Sequence, residues 1–194
     1  LQTFAALAVS SIAGYGFEIY HDKAKDTVMA ILMLAMMVPF VAVLVPLFQM
    51  FTKAKLINSW AGFIMPSIAT PFLIMYFRNS ARSFPRDTLE AARIDGLNEF
   101  QIFIRMFIPM MKPTYASAAT ITFMNAWNAY LWPKVIMQTN EAITMPMLVA
   151  NTMGGYVIDY GVVMAAVTIC SLPTVIIFFC LQKSFTNAVA GAVK

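Results

Sequence analysis

An all-α polytopic membrane protein is the fold class predicted by this 194-residue sequence, and three observations predict it. Hydrophobic residues make up 60% of the chain and charged residues 11%, whereas a soluble domain has about a quarter of its residues charged. Mean hydropathy is +0.73, and the apolar residues gather into runs near the roughly 20 residues that a helix needs to cross a bilayer. No window alternates in the pattern of a barrel strand. The net charge of +4 therefore bears on orientation in a membrane and is no sign of nucleic-acid binding.

One transmembrane domain over 1–194 accounts for the whole chain, with spans near 1–17, 28–51, 60–77, 113–133 and 156–181. The run 1–17 has no basic residues before it and no cleavage site after it, so it reads as a partial span rather than a signal peptide. That reading predicts further chain upstream. The run 28–51 holds only Gln49 as a strongly polar residue. Pro39 and Pro46 in this run, and Pro173 in the last, are positions where freed carbonyls permit kinks.

Basic residues set the predicted orientation. With five spans, the segments 18–27, 78–112 and the C-terminal tail lie on one side and hold ten of the 13 lysines and arginines. Lys53, Lys55 and Lys134 lie opposite, so the positive-inside rule places 78–112 and the C-terminus in the cytoplasm. Trp60, Trp132, Tyr156 and Tyr160 fall at the outer span ends, as an interfacial belt would. Cys170 and Cys180 are ten residues apart in one helical run and point in different directions, which excludes a bond between them. His21 stands alone, without the neighbours a metal site requires.

The segment 78–112 is a charged island between apolar runs. Asp87-Thr88-Leu89-Glu90 has capping-box spacing, which predicts Asp87 as N-cap of a short helix reaching Asp95, with Gly96 as its left-handed stop. Asn98 is placed to cap a second helix in which Phe100, Phe103 and Phe107 share a face, ended by Pro109 and Pro113. Ala91 and Ala92 would let a partner backbone come close, with Glu90, Arg93 and Asp95 around the contact. Docking of a partner and a plain solvated connection both fit this layout.

The fourth predicted span carries a polar stripe. On a helical wheel Thr114, Ser117, Ala118, Asn125, Asn128 and Trp132 fall close together, with Asn125 about 16 Å along the axis from Thr114. Amides at mid-membrane depth are costly unless they face protein or a wet cavity. The stripe either lines a translocation path or bonds to a neighbouring helix.

Glu90-Ala91-Ala92, three residues, Gly96, and then Met106, Phe107, Ile108 and Pro109 resemble the EAA loop of bacterial ABC import permeases. Members usually have isoleucine at the place of Met106 and leucine at that of Ile108; both changes conserve packing. Asn125 to Pro133 resembles the fifth-span signature of sugar permeases related to the second membrane subunit of the maltose transporter, and Gly191 to Lys194 resembles their C-terminal end. The resemblance implies a maltose-permease-like type I importer bundle that lacks its N-terminal span here. It implies pairing with a homologous second permease, docking on two ATP-binding subunits, and delivery of solute by an extracytoplasmic binding protein at a bacterial inner membrane. By the same resemblance, Glu90, Ala91, Ala92, Asp95, Gly96 and Pro109 carry coupling to the ATPase, and Asn125, Asn128, Ser117 and Trp132 are candidates for the path. Lys194 would lie in a tail near the ATPase.

The implied energy source is absent from the sequence. None of the eight glycines precedes a lysine, so there is no phosphate-binding loop, and ATP and Mg would be used by the partner ATPase with no cofactor on this chain. No carboxylate is expected deep in a span, which argues against a proton- or sodium-driven carrier. An intramembrane enzyme fits poorly, because Cys170 and the hydroxyls have no His or Asp at depth to activate them. The expected activity is import of a sugar or oligosaccharide by alternating access, with glycerol phosphate or an amino acid as the alternative solute.

Overall fold

In the computed structural model, residues 1–139, 143–154 and 158–191 are described, 181–191 by their backbone alone. The expected interfacial Tyr156 and tail residue Lys194 lie outside them. The described residues form helices and connecting turns, with no strand among them.

The chain opens with α1 (Gln2–Ile19), turns at Asp22, whose carboxylate caps α2 (Lys23–Ala35), and continues into α3 (Phe40–Lys53). The stretch 28–51 is therefore two helices rather than one, bent by 102°. The break falls before Pro39, which is extended and starts α3. A residue preceding proline is pushed out of the helical region, and proline cannot donate to the turn before it. Pro46 and Pro173, by contrast, sit inside continuous helices.

The next run is likewise divided: α4 (Trp60–Ile64), a 3₁₀ turn (Met65–Ser67), then α5 (Pro71–Ala81), bent by 47°. Only α12 (Tyr160–Gly191) contains, among the described residues, a single helix long and apolar enough to cross a membrane unaided. Each of the two bent pairs reaches that length and hydropathy when taken together.

Between α5 and the following long helix lie α6 (Arg86–Ile94), α7 (Glu99–Ile102), a π turn (Phe103–Phe107) and α8 (Ile108–Met110). Then come α9 (Lys112–Trp127), α10 (Leu131–Ile136) and α11 (Met145–Thr152).

The backbone contact that organises the bundle is α1 against α5. Ser10, Ser11 and Gly14 form the buried face of α1, and a Cβ on Gly14 would come within 2.6 Å of Phe77 Cβ and 2.7 Å of the Arg78 nitrogen. Small residues allow this approach, as in membrane helix pairs generally. Ala6, Leu73, Phe77 and Ala118 fill the interior between α1, α5 and α9. A second cluster joins Tyr15, Phe84, Leu89, Ala92, Ile102 and Phe107. A third holds Phe51, Trp132 and Ile136.

Trp132 departs from its sequence-based place. It is buried on α10, its Nε1 donates to the Gly62 carbonyl at 3.1 Å, and its ring meets Phe51 edge-on. Trp60 and Tyr160, in contrast, are strongly exposed. The two cysteines are free thiols, as their spacing requires.

Candidate functional site

Pro85 is the N-cap of α6, in extended conformation. Asp87 consequently lies inside the first turn and caps nothing, which corrects the sequence-based start. A proline just ahead of Arg86 already fixes the chain direction, and Asp87 instead places negative charge near the positive end of the helix.

The far end is as the sequence requires. Gly96 has φ +82°; its N–H donates to the Arg93 carbonyl at 3.1 Å, and the Leu97 N–H reaches back to Ala92 at 3.0 Å. These two bonds are a Schellman stop. Asn98 Oδ1 accepts from the Gln101 N–H at 2.9 Å while Gln101 Oε1 accepts from the Asn98 N–H at 3.0 Å, completing a reciprocal cap on α7.

Helical periodicity splits α6 into two faces. Leu89 and Ala92 are buried in the cluster around Phe107. Asp87, Glu90, Ala91 and Ile94 fall within roughly a third of a turn on the opposite side, and all are exposed. Asp95, Gly96 and Pro109 are also exposed. Ala92 therefore faces inward, at 2% exposure, and its small size serves close packing under the helix. Ile94 is 86% exposed and was not among the sequence-based candidates. Its signal was available: an isoleucine on the polar face of a short helix whose core side is already supplied by Leu89 and Ala92.

The second helix of the island also differs from expectation. Phe103 and Phe107 are buried and stack at 5.5 Å, but Phe100 points outward at 69% exposure, its place taken by Ile102. The π turn accounts for the change of register. Pro109 offers no N–H, and the widened turn, with Ile108 N–H bonded to Phe103, carries the chain past it without a stop. The actual break is at Met111, just before Pro113.

Ion pairs hold the island to its neighbours. Arg93 Nε donates to Glu99 Oε1 at 2.8 Å, and the Tyr15 hydroxyl approaches Glu99 Oε2 at 3.4 Å. Burial by itself would raise the Glu99 carboxyl, but hydrogen bonds from Tyr20 and Arg93 outweigh it and hold the group below its usual range. Arg78 is buried at 6% exposure and pairs with Glu18 at 3.3 Å and Asp26 at 2.6 Å, drawing together the ends of α1, α2 and α5. Its hydrogen bond keeps the Asp26 carboxyl low. A polar cavity of about 150 Å³ lies beneath α6, between Glu18, Arg82, Arg86 and Glu90.

The polar stripe of the fourth predicted span does not survive as one face. Ser117 and Ala118 are buried, and Ser117 Oγ donates to the Pro113 carbonyl at 3.1 Å. The helix ends at Trp127, so the wheel cannot be extended to Trp132 on α10. Asn125 and Asn128 are both exposed but open into different cavities. Asn125 shares a hollow of about 150 Å³ with Gln2, Thr70 and Thr122, while Asn128 borders one of about 400 Å³ with Tyr130, Cys170 and Ser171. Asn128 Nδ2 also donates to the Met124 carbonyl at 2.9 Å, closing the end of α9. No charged side chain lines either cavity among the described residues.

Comparison with known proteins gives this arrangement its family. Residues 6–191 match the family described as binding-protein-dependent transport system inner membrane component. The chain is 41% identical over 192 residues to a lactose transport system permease protein of Rhizobium radiobacter, covering 99% of this chain and 70% of that one. It is 34% identical over 193 residues to an arabinooligosaccharides transport system permease protein of Bacillus subtilis, covering 99% and 69%. Among solved structures, it superposes with a TM-score of 0.78 on a chain of a bacterial ABC transporter involved in import of the acidic polysaccharide alginate. That match is 21% identical, covers 94% of this chain and 74% of the other, and speaks to the fold. The chain belongs to the binding-protein-dependent inner membrane component family and is an ABC transporter permease.

Proposed function

We propose that this chain is one membrane-spanning subunit of an ATP-driven, binding-protein-dependent importer that moves a sugar or oligosaccharide by alternating access. The exposed face of α6 carries the proposal. Asp87, Glu90, Ala91 and Ile94 present charge, a small gap and an apolar side chain together, on a helix held from behind by Leu89 and Ala92 and stopped by Gly96. Ile94, 86% exposed, stands on that face with Glu90 and Ala91, so an apolar contact, a charge and a small gap lie side by side outside the segments that pack in the bundle. The ATP-binding subunit is the partner assigned to it, so ATP and Mg act on that subunit and this chain transports without hydrolysing.

In this reading, closure of two ATP-binding subunits pulls on α6, and a homologous second permease completes the path. An extracytoplasmic binding protein delivers solute on the side opposite 78–112. The island and C-terminus face the cytoplasm, in keeping with ten basic residues on that side against three. Asn125 and Asn128 are the path residues retained; Ser117 and Trp132 act in packing.

The sugar class is supported by the substrates named for the lactose and arabinooligosaccharide relatives and by the uncharged cavities beside Asn125 and Asn128. A phosphorylated solute would call for arginine or lysine there. The test is ATP hydrolysis by the complete complex in proteoliposomes, with the binding protein loaded in turn with sugars and non-sugars. Stimulation by a sugar that disappears with Gly96→Val supports the reading; stimulation only by another solute overturns the sugar class.

A further inference from the structure

We propose that Tyr15 and the Arg93–Glu99 pair fasten the Gly96 corner rigidly to α1, making Tyr15 a positioning residue in coupling. This rests on the reading of α6 as the ATPase-docking helix. Tyr15 is 5% exposed and meets Phe107 edge-on at 4.9 Å and Phe103 at 5.2 Å, so its ring is clamped against the π turn. Its hydroxyl reaches past those rings to Glu99, the first residue of α7, whose other oxygen is held by Arg93 near the end of α6. One side chain of α1 thus holds α7 and the π turn directly and reaches α6 through the Glu99–Arg93 pair.

The grip continues into the bundle without slack. Gly14, the neighbour of Tyr15, lies so close to Phe77 and Arg78 that no Cβ fits between them. Four residues after Gly14, Glu18 pairs with Arg78 and Arg82 on α5 and its flank. A displacement of α6 passes through Glu99 and Tyr15 into α1, and from α1 directly into the α5 backbone. A phenylalanine at position 15 would fill the same aromatic slot; the hydroxyl adds the connection to the charged corner.

The test uses the complete transporter in proteoliposomes with Tyr15→Phe, which keeps the ring, and Glu99→Ala, which removes both acceptors. Substrate moved per ATP hydrolysed should fall about fivefold in Tyr15→Phe, the scale of one modest hydrogen bond, and further in Glu99→Ala, which also frees Arg93, with the assembled complex recovered in parental yield. Spin labels at the exposed positions Ile12 and Phe100, with Cys170 and Cys180 replaced by alanine, should give the same separation without nucleotide and with ATP trapped. The parental substrate-to-ATP ratio in either variant, or a label separation that changes between the two states, overturns the proposal. Ile94→Glu, on the exposed face of α6, run in parallel separates the two failures. If it keeps the parental ratio and the ATP-binding subunit, the docking role of α6 falls; if it loses them while Tyr15→Phe stays coupled, the fastening alone falls.

Discussion

Replacing Gly96 tests whether the corner needs a backbone conformation or an absence of side chain. Nothing lies within 4 Å of a Cβ built on Gly96, so a substituent meets open space and the cost is purely conformational. At φ +82° an L-residue pays roughly 1–2 kcal/mol, which multiplies the population of competing corners by about 5- to 30-fold. Asparagine tolerates the left-handed region far better than alanine, and a β-branched residue worst of all. The series Gly96→Asn, Gly96→Ala, Gly96→Val should therefore lower substrate-stimulated uptake in that order, with up to about a 30-fold loss for valine and little for asparagine. The assay is radiolabelled sugar uptake alongside phosphate release from the same vesicles; phosphate release should outlast uptake. Full uptake in Gly96→Val would refute the need for a left-handed corner. Equal loss in Gly96→Asn and Gly96→Val would refute the conformational origin and point to contact with a partner.

Three further outcomes are expected. Phe107→Ala removes a side chain with no exposure from the cluster under α6 and should cost about 3–5 kcal/mol, read as a lowered unfolding midpoint in detergent; a loss under about 1 kcal/mol would contradict the packing described. Ile94→Glu should leave that midpoint unchanged, since the residue is 86% exposed, yet reduce recovery of the ATP-binding subunit in co-purification. Glu99 has a lowered folded-state pKa, so its stabilising contribution is present above the ordinary value of 4.5 and is lost as pH falls through the lower folded value. Hydrogen-exchange protection factors at Asn98–Ile102 should fall only below about pH 4.5, and in Glu99→Gln that acid step should vanish.

The parts of the island legible in the sequence are those fixed by neighbours a few residues away. Gly96 and the Asn98 cap depend on local hydrogen bonds, and residue type at a given spacing specifies them, while the return bond from Gln101 emerges only in the structure. The start of α6 was misplaced because Pro85 competes with Asp87 for the same job, and spacing alone does not rank the two. The π turn left no periodic trace, since one widened turn brings Phe107 round to the side of Ile102 and Phe103, leaving Phe100 outside, without changing any residue type. Arg78 reads as a flanking positive charge until Glu18 and Asp26, 60 and 52 residues away, are brought beside it. Trp132 needed the same long-range knowledge, because its partner carbonyl belongs to Gly62, 70 residues earlier. The 102° turn before Pro39 divides the apolar run 28–51 without altering its composition, which is why hydropathy alone does not show it.

The π turn at Phe103–Phe107 also sets a phase. Each residue in an α-helix advances the chain by about 100° around its axis, so a single extra residue accommodated in one wide turn rotates everything after it by that amount. At its end stand Phe107 and then α8, up to the break at Met111. Deleting one residue from the turn would let ordinary helical bonds close while swinging Phe107 about a quarter of a turn away from Tyr15 and Phe84. The angular relation between the corner and its aromatic seat is thus written as a count of residues, and a chain one residue shorter there would keep its corner and lose the ring beneath it.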